Sequence, residues 1–155
     1  GGAHGAAAKK LCYMVGGAAE IVAAVEKFML TSGEKVIHAG ELGCGMKLKL
    51  CNNLMTYLEL MAVHEGMKLA KASGLSLDVL KEVTTANGVL TPSMKMFYDT
   101  KKGFDEKTFA EIMVGFKAVA VKDLSSALDF ADSLNISLPG TGTCREVIKQ
   151  VYGGG

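Results

Sequence analysis

The chain has 155 residues, of which 49% are hydrophobic, and its formal net charge at pH 7 is +1. This length and hydrophobic content suffice for a folded domain with a buried core and argue against a disordered polymer. The small net charge argues against a dedicated nucleic-acid-binding protein, which usually has a clear basic excess. No apolar run is long enough to predict a membrane span.

The first forty residues predict one βαβ unit. Residues 11–15 form a short apolar run that predicts a buried strand, and residues 18–30 have apolar positions at helical spacing. Gly33 is expected to end this helix as a left-handed cap, and residues 35–38 predict a second strand. Two strands and one helix cannot form a parallel sheet covered on both faces, so we expect the remaining strands to lie outside this sequence.

Residues 41–155 predict helices throughout. A long spine helix is expected over 43–73, with Gly74 ending it. Later helices are predicted from an N-cap at Ser76, from Thr91-Pro92, over residues 108–134, and from Pro139. The expected fold class is therefore mainly α: a long spine helix in an all-helical C-terminal domain, preceded by one βαβ remnant of a Rossmann-type domain.

The chain carries four cysteines: Cys12, Cys44, Cys51 and Cys144. They form no CxxC pair and have no histidine partner at zinc spacing, so no metal site is expected. His64-Glu65 also lacks the second histidine of a zinc-protease motif, and we expect His64 to pack on the spine helix. Four reduced thiols and a Gly/Ala-rich N-terminus without an apolar core favour the cytoplasm, with the mitochondrial matrix as an alternative.

A glycine-rich segment leads into the spine helix, and the residues that follow it suggest a catalytic site. Gly45, Lys49 and Asn53 recur every four residues and therefore share one helix face. Gly45 leaves room one turn before Lys49, so the ammonium can face a ligand. A neutral amide at Asn53 can hold that ligand or the lysine without fixing the lysine as a cation, which suits a proton-transferring lysine. From spacing alone, a solvated surface lysine after an ordinary glycine loop remains the alternative.

The full pattern, Gly-x-x-Gly-x-Gly-x-x-x-Lys-x-x-Asn-Asn from Gly40 to Asn53, resembles the catalytic-helix signature of the β-hydroxyacid dehydrogenases. That family includes 3-hydroxyisobutyrate dehydrogenase and tartronate semialdehyde reductase, with 6-phosphogluconate dehydrogenase as a larger relative. Three other segments resemble family motifs in the family's order: residues 1–17, Lys122-Asp123, and Leu138-Pro139. Lys9 stands where the family usually has a glycine, which is a departure from the family pattern at this turn.

The resemblance assigns roles to individual residues. Lys49 is implied to be the general acid/base, and Asn53 to orient Lys49 or the substrate. The backbone of Gly1 and Gly2 is implied to bind substrate. Lys122, which by its position alone would be read as a solvated charge, is implied to reach toward the cofactor and substrate cleft.

The resemblance also implies the activity. The chain would be the C-terminal part of an NAD- or NADP-dependent oxidoreductase that moves hydride between nicotinamide and a small 3-hydroxy acid. Residues 1–40 would be the C-terminal remnant of the dinucleotide-binding domain, whose missing part holds the main cofactor site. Residues 41–155 would be a helical substrate-binding and dimerisation domain, expected in a homodimer or homotetramer without nucleic-acid or membrane partners. The alternative is a catalytically inactive helical dimerisation or binding fragment.

Overall fold

The computed structural model describes residues 2–153, with side chains from residue 5 onward, and divides into two compact units at the Asn52/Asn53 boundary. The described part is mainly helical, with one two-stranded parallel sheet near its start, which confirms the predicted fold class. The elements are α1 (Gly2–Ala7), β1 (Leu11–Val15), α2 (Ala19–Met29), β2 (Gly33–His38), α3 (Cys44–Ala72), α4 (Leu77–Ala86), α5 (Pro92–Gly103), α6 (Glu106–Ser133) and α7 (Pro139–Val151).

The first unit contains the predicted βαβ arrangement. Strands β1 and β2 pair in parallel from Cys12 opposite Lys35 to Val15 opposite His38, and α2 provides the crossover between them. A hydrogen bond from the amide of Ala39 to the carbonyl of Val15 extends the pairing beyond β2. The carboxyl ends of both strands therefore lie side by side.

The predicted left-handed cap at Gly33 is wrong. Helix α2 ends at Met29, and Leu30 caps it in a right-handed conformation. Gly33 instead begins β2, where an added Cβ would lie 2.7 Å from the Tyr13 ring and 2.9 Å from the carbonyl oxygen of Leu11. Glycine is therefore needed at this position because the two strands and the tyrosine leave no space for a side chain.

Helix α1 was not predicted, because six Gly- and Ala-rich residues carry no apolar periodicity. It ends in a Schellman motif: the Lys10 amide donates to the Gly5 carbonyl at 2.8 Å, and the Lys9 amide donates to the Ala6 carbonyl at 3.1 Å. Lys9 is left-handed, with φ of 54°. A left-handed backbone favours glycine, which gives a physical reason for the glycine that the family resemblance places there.

Replacing Lys9 by glycine should raise the free energy of unfolding by about 0.5–1 kcal/mol. Relief of the left-handed strain of an L-residue exceeds the extra entropy that glycine gives the unfolded chain. Chemical denaturation of the two chains measures the difference. Lys10→Gly is the matched control, because Lys10 is not left-handed, and it should lower stability. Equal effects of the two substitutions would contradict the strain at Lys9.

The second unit has one hydrophobic core. The fully buried large side chains of this core come from α3, α5, α6 and α7, and are Met67, Tyr98, Phe109, Leu124, Cys144, Ile148 and Val151. The ring of Phe97 meets those of Phe109 and Tyr152 edge to face. These four helices therefore hold the second unit together.

Capping residues set most helix starts where the sequence predicts them. Ser76 accepts from the amide of Asp78, and Thr91 accepts from the amide of Met94. Helix α6 begins two residues before its predicted start, because Asp105 caps it and accepts from two backbone amides. Gly74, at φ of 72°, ends α3 as predicted.

No helix among the described residues is both long and apolar enough to cross a bilayer. All four cysteines lie in the described part of the chain and none forms a disulfide there. Burial raises the pKa of the Cys144 thiol to about 11, so this thiol packs in the core as a neutral group.

Candidate active site

The start of α3 packs directly on the end of β1. Gly45 is buried, and an added Cβ there would lie 2.4 Å from the carbonyl oxygen of Met14. A Cβ at Gly16 would lie 2.4 Å from the carbonyl oxygen of Glu41. The contact between helix and strand therefore requires glycine at position 45. The spacing predicted that this glycine would leave space for a ligand, whereas the space is filled by the backbone of β1.

The other two glycines of the motif shape the loop between β2 and α3. Gly40 and Gly43 have φ of 109° and 91°, which side chains rarely adopt. The Gly40 carbonyl accepts from the amide of Gly17 at 2.9 Å, which ties this loop to the end of β1. In open α/β sheets, ligands bind at the carboxyl ends of the strands, where this loop lies.

Lys49 lies one turn after Gly45 in α3, and its side chain is half-buried. Among the residues that the structure describes, Lys49 belongs to none of the ion pairs. This position leaves the Lys49 ammonium without a carboxylate partner among the described ion pairs.

In the second unit, Asp123 contacts two of the predicted site residues, Asn53 and Lys122. Its carboxylate Oδ2 accepts from Nδ2 of Asn53 at 2.9 Å and from the hydroxyl of Tyr57 at 3.1 Å. Its Oδ1 lies 2.9 Å from Nζ of Lys122. Asn53 on α3 and Lys122 on α6, 69 residues apart in the sequence, therefore converge on one carboxylate.

The surroundings keep Asp123 ionised. It is 6% exposed, and burial alone would raise the pKa of its carboxyl group. Hydrogen bonds from Lys122, Tyr57 and Asn53 outweigh the burial, so the pKa of Asp123 lies below its ordinary value. The pKa of Tyr57 is raised, first by burial and then by the Asp123 charge, so its hydroxyl stays a donor.

Lys122 is anchored at the edge of this cluster rather than inside it. Its side chain is 65% exposed, whereas that of Asp123 is 7% exposed. The ion pair ties the Lys122 ammonium to the Asp123 carboxylate while most of the Lys122 side chain stays exposed to solvent. A restrained but accessible ammonium is compatible with contact to an anionic or polar ligand.

The remaining predictions for the site have mixed outcomes. Gly1 lies outside the described residues, and Gly2 begins α1, so their substrate-binding role stays a prediction. Sequence reasoning missed Tyr57, although its position four residues after Asn53 placed both side chains on one face of α3. Within the described residues, no group of three or more His, Cys, Asp and Glu is placed to hold a metal ion.

A comparison with known protein families shows which family this chain belongs to. Residues 43–155 match the family described as the NAD-binding domain of NADP-dependent 3-hydroxyisobutyrate dehydrogenase. The chain belongs to this family. The matched range contains the Asp123 cluster of Asn53, Tyr57 and Lys122, and it also contains Lys49.

Curated relatives align with the chain over different lengths. The NAD-dependent L-serine dehydrogenase of Pseudomonas aeruginosa is 32% identical over 98% of this chain and 53% of its own length. The mitochondrial 3-hydroxyisobutyrate dehydrogenase of Drosophila melanogaster is 37% identical over 56% of this chain and 27% of its own length. The chain thus spans about half the length, or less, of the curated relatives that it matches.

A solved structure shows the same fold. The 3-hydroxyisobutyrate dehydrogenase of Mycobacterium tuberculosis, solved with L-serine, superposes with a TM-score of 0.80 and 26% identity. The match covers 97% of this chain and 52% of that enzyme. The described fold is therefore the one that a dehydrogenase of this family uses over about half its length.

Proposed function

We propose that this chain is the C-terminal part of an NAD- or NADP-dependent dehydrogenase that acts on a small 3-hydroxy acid, with Lys49 as general acid/base. The observation that carries the proposal is the position of Lys49. It lies six residues into the family's matched range, one turn after a glycine that packs α3 on the end of β1. Hydride transfer in such enzymes requires a proton acceptor for the substrate hydroxyl.

The proposed chemistry couples two transfers. A bound nicotinamide would supply the acceptor for the hydride that leaves the hydroxyl-bearing carbon of the substrate. Neutral Lys49 accepts the hydroxyl proton as the carbonyl forms, and in the reverse direction its ammonium returns that proton to the carbonyl oxygen. Lys49 must therefore change its protonation state in each turnover, which the lack of an ion pair in the described residues permits.

The other predicted site residues have proposed supporting roles. Asn53, one turn later in α3, is fixed by its bond to Asp123, so its amide can orient Lys49 or the substrate. Lys122, held by the same carboxylate, is proposed to face the cofactor. The substrate carboxylate would be bound by the backbone of Gly1 and Gly2 together with the amide of Asn53.

The cofactor assignment rests on the family domain and on the shape of the strand ends. Gly40 and Gly43 turn the chain at the carboxyl ends of β1 and β2, and nothing lies within 4 Å of a Cβ built at Gly43. A ligand can therefore approach the backbone of this loop closely. The sequence contains no Gly-x-Gly-x-x-Gly segment, so we propose that the pyrophosphate site lies in a domain outside this chain.

Turnover assays with NAD and NADP test the proposal. The complete dehydrogenase should reduce one of the two cofactors with a small 3-hydroxy acid, and 3-hydroxyisobutyrate and L-serine are the first substrates to compare. The isolated 155-residue chain should show no turnover, because it lacks the fingerprint loop. Turnover by the isolated chain would refute the fragment proposal, and inactivity of the complete protein on every small 3-hydroxy acid would refute the activity.

The alternative function is a helical dimerisation module without catalysis, and one specific observation supports self-association. Helix α6 has an exposed apolar stripe at Ile112, Phe116 and Val119, which are 43%, 57% and 48% exposed. Their spacing places them on one face of the helix. An apolar stripe of this kind is typical of a surface that a second copy covers, and we propose a homodimer or homotetramer on that basis. Dimerisation is equally compatible with the dehydrogenase.

The chain should sediment as a dimer or larger species at micromolar concentration. Val119→Glu should shift it toward monomer, because a charge on the α6 stripe must be desolvated in the interface. Met96→Glu is the control, since Met96 is 70% exposed on α5, outside the stripe. A monomeric parent chain, or equal effects of both substitutions, would contradict association through α6.

For the compartment, we propose the cytoplasm or the mitochondrial matrix. Cys12 and Cys51 are exposed and unpaired in the described structure, which suits a reducing environment.

A further inference from the structure

The second unit contains a cavity that lies away from the Asp123 cluster. It has a volume of about 360 Å³ and is formed by α3, the segment joining α5 to α6, and the end of α7. Its first α3 residue, His64, lies about three helical turns beyond Asn53. Neither Asp123 nor Tyr57 lines it, so the proposed dehydrogenase chemistry makes no use of this cavity. Its size is within the range of small-molecule sites.

The cavity concentrates positive charge. Lys68 and Lys71 share one face of α3 with His64, and Lys101 faces them from α5. Glu106 is the carboxylate in the lining. Among the described residues, none of these three lysines belongs to an ion pair. The lining therefore carries a cationic excess that the described protein does not neutralise.

Lys101 is fixed at the inner wall. Its ammonium donates to the carbonyl oxygen of Val151 at 3.1 Å and lies 4.3 Å from the centre of the Phe109 ring. The pKa of Lys101 is lowered, first by burial and then by the charge of Lys71. An anion in the cavity would offset both effects, because it would restore a polar partner and screen the repulsion between the lysines.

His64 provides an independent observation. Its Nδ1 is buried and has no hydrogen-bond partner in the described structure. The pKa of His64 is lowered by burial and then by Lys101 and Lys68, so the ring is neutral at pH 7. A buried polar atom without a partner costs about 1–3 kcal/mol, and a ligand whose binding turns the ring so that Nδ1 reaches it would recover part of this cost.

Part of the cavity lining is apolar. Met67, Phe104 and Phe109 line the cavity beside the lysines. Phe104 is 49% exposed, so it can cover a ligand from the solvent side. The cationic and apolar side chains of the lining together fit an anionic head group attached to an apolar body.

We propose that this cavity binds a small organic oxyanion, a carboxylate or phosphate on an apolar body, with the head group held by Lys71, Lys101 and His64. The site is distinct from the Asp123 cluster, and it does not depend on the proposed dehydrogenase activity. An organic anion there would contact α3, α6 and α7 at once, and would thereby stabilise the second unit.

Calorimetric titration of the 155-residue chain tests the proposal with four probes. Phenyl phosphate and benzoate carry both features and distinguish a phosphate from a carboxylate preference. Inorganic phosphate lacks the apolar body, and benzyl alcohol lacks the charge. One or both of the aromatic anions should bind at least about tenfold more tightly than either incomplete probe. Binding of benzyl alcohol or inorganic phosphate as tightly as the better aromatic anion, or no binding at all, would overturn the proposal.

Substitutions locate the site. Lys71→Met should weaken binding about tenfold, because it removes one charge-assisted hydrogen bond from an exposed lysine without disturbing the core. Lys101→Met should do the same, and Glu106→Gln should tighten binding because it removes the opposing charge. Lys95→Met is the control, since Lys95 is exposed on α5 and does not line the cavity. Equal weakening by Lys95→Met and Lys71→Met, or weaker binding in Glu106→Gln, would overturn the assignment.

Nuclear magnetic resonance of the histidine rings gives a second measurement on the unmodified chain. The His64 ring nitrogens should shift on addition of the aromatic anion that binds, whereas those of His38, an exposed histidine of the first unit, should not. Unchanged His64 signals at saturation would overturn the proposed place of binding.

Discussion

Replacing Lys49 by alanine should lower the kcat of the complete dehydrogenase by about 10²–10⁴, which is the usual contribution of general acid/base catalysis. The reason is that no other group is proposed to accept the substrate hydroxyl proton during hydride transfer. Cofactor affinity should change little, since the pyrophosphate site is proposed to lie outside this chain. Steady-state kinetics together with a cofactor-binding titration measures the two effects separately.

Two further substitutions make this test specific to proton transfer. Lys49→Arg keeps a positive charge but cannot lose its proton, so it should be as inactive as the alanine variant. Lys47→Ala is the matched control, because Lys47 is an exposed lysine in the same turn of α3 and points away from Lys49. Near-normal turnover in Lys49→Arg would show that the charge, and not proton transfer, is required.

Replacing Asp123 by alanine should lower the free energy of unfolding by about 3 kcal/mol, because it removes the buried acceptor of three donors. The amide of Asn53 and the hydroxyl of Tyr57 would both lose this acceptor. Urea denaturation at pH 7 measures the loss. Asp129→Ala is the control, since Asp129 is exposed on the same helix and should change stability by less than about 0.5 kcal/mol.

The effect of Asp123→Ala should also depend on pH. The pKa of Asp123 is lower in the folded protein than its ordinary value of 3.8, so the unfolded chain binds the proton more tightly. The ionic part of its contribution is therefore complete above pH 3.8 and is lost as the pH falls below that value. The stability difference between parent and variant should shrink in acid, and a difference that grows in acid would contradict the ion-pair interpretation.

Local sequence alone determined most of the element boundaries, because the groups that set them are close together in the chain. Ser76, Thr91 and Pro139 begin helices where predicted, since a side-chain cap or a fixed proline φ acts within a few residues. The strand–helix–strand order also predicts the parallel pairing of β1 and β2, because a crossover helix brings the second strand back in the direction of the first. Spacing also placed Gly45, Lys49 and Asn53 on one helix face.

Only the tertiary structure could decide what those side chains contact. The sequence does not show that Asn53, Tyr57 and Lys122 share the carboxylate of Asp123, because α3 and α6 are distant in the chain and their facing residues depend on packing. The same holds for Gly33, whose role comes from the Tyr13 ring on the neighbouring strand. The cationic cavity around His64 is formed by three separate parts of the chain. Periodicity fixes which side chains share a face, whereas burial and pKa shifts depend on the other elements that cover that face.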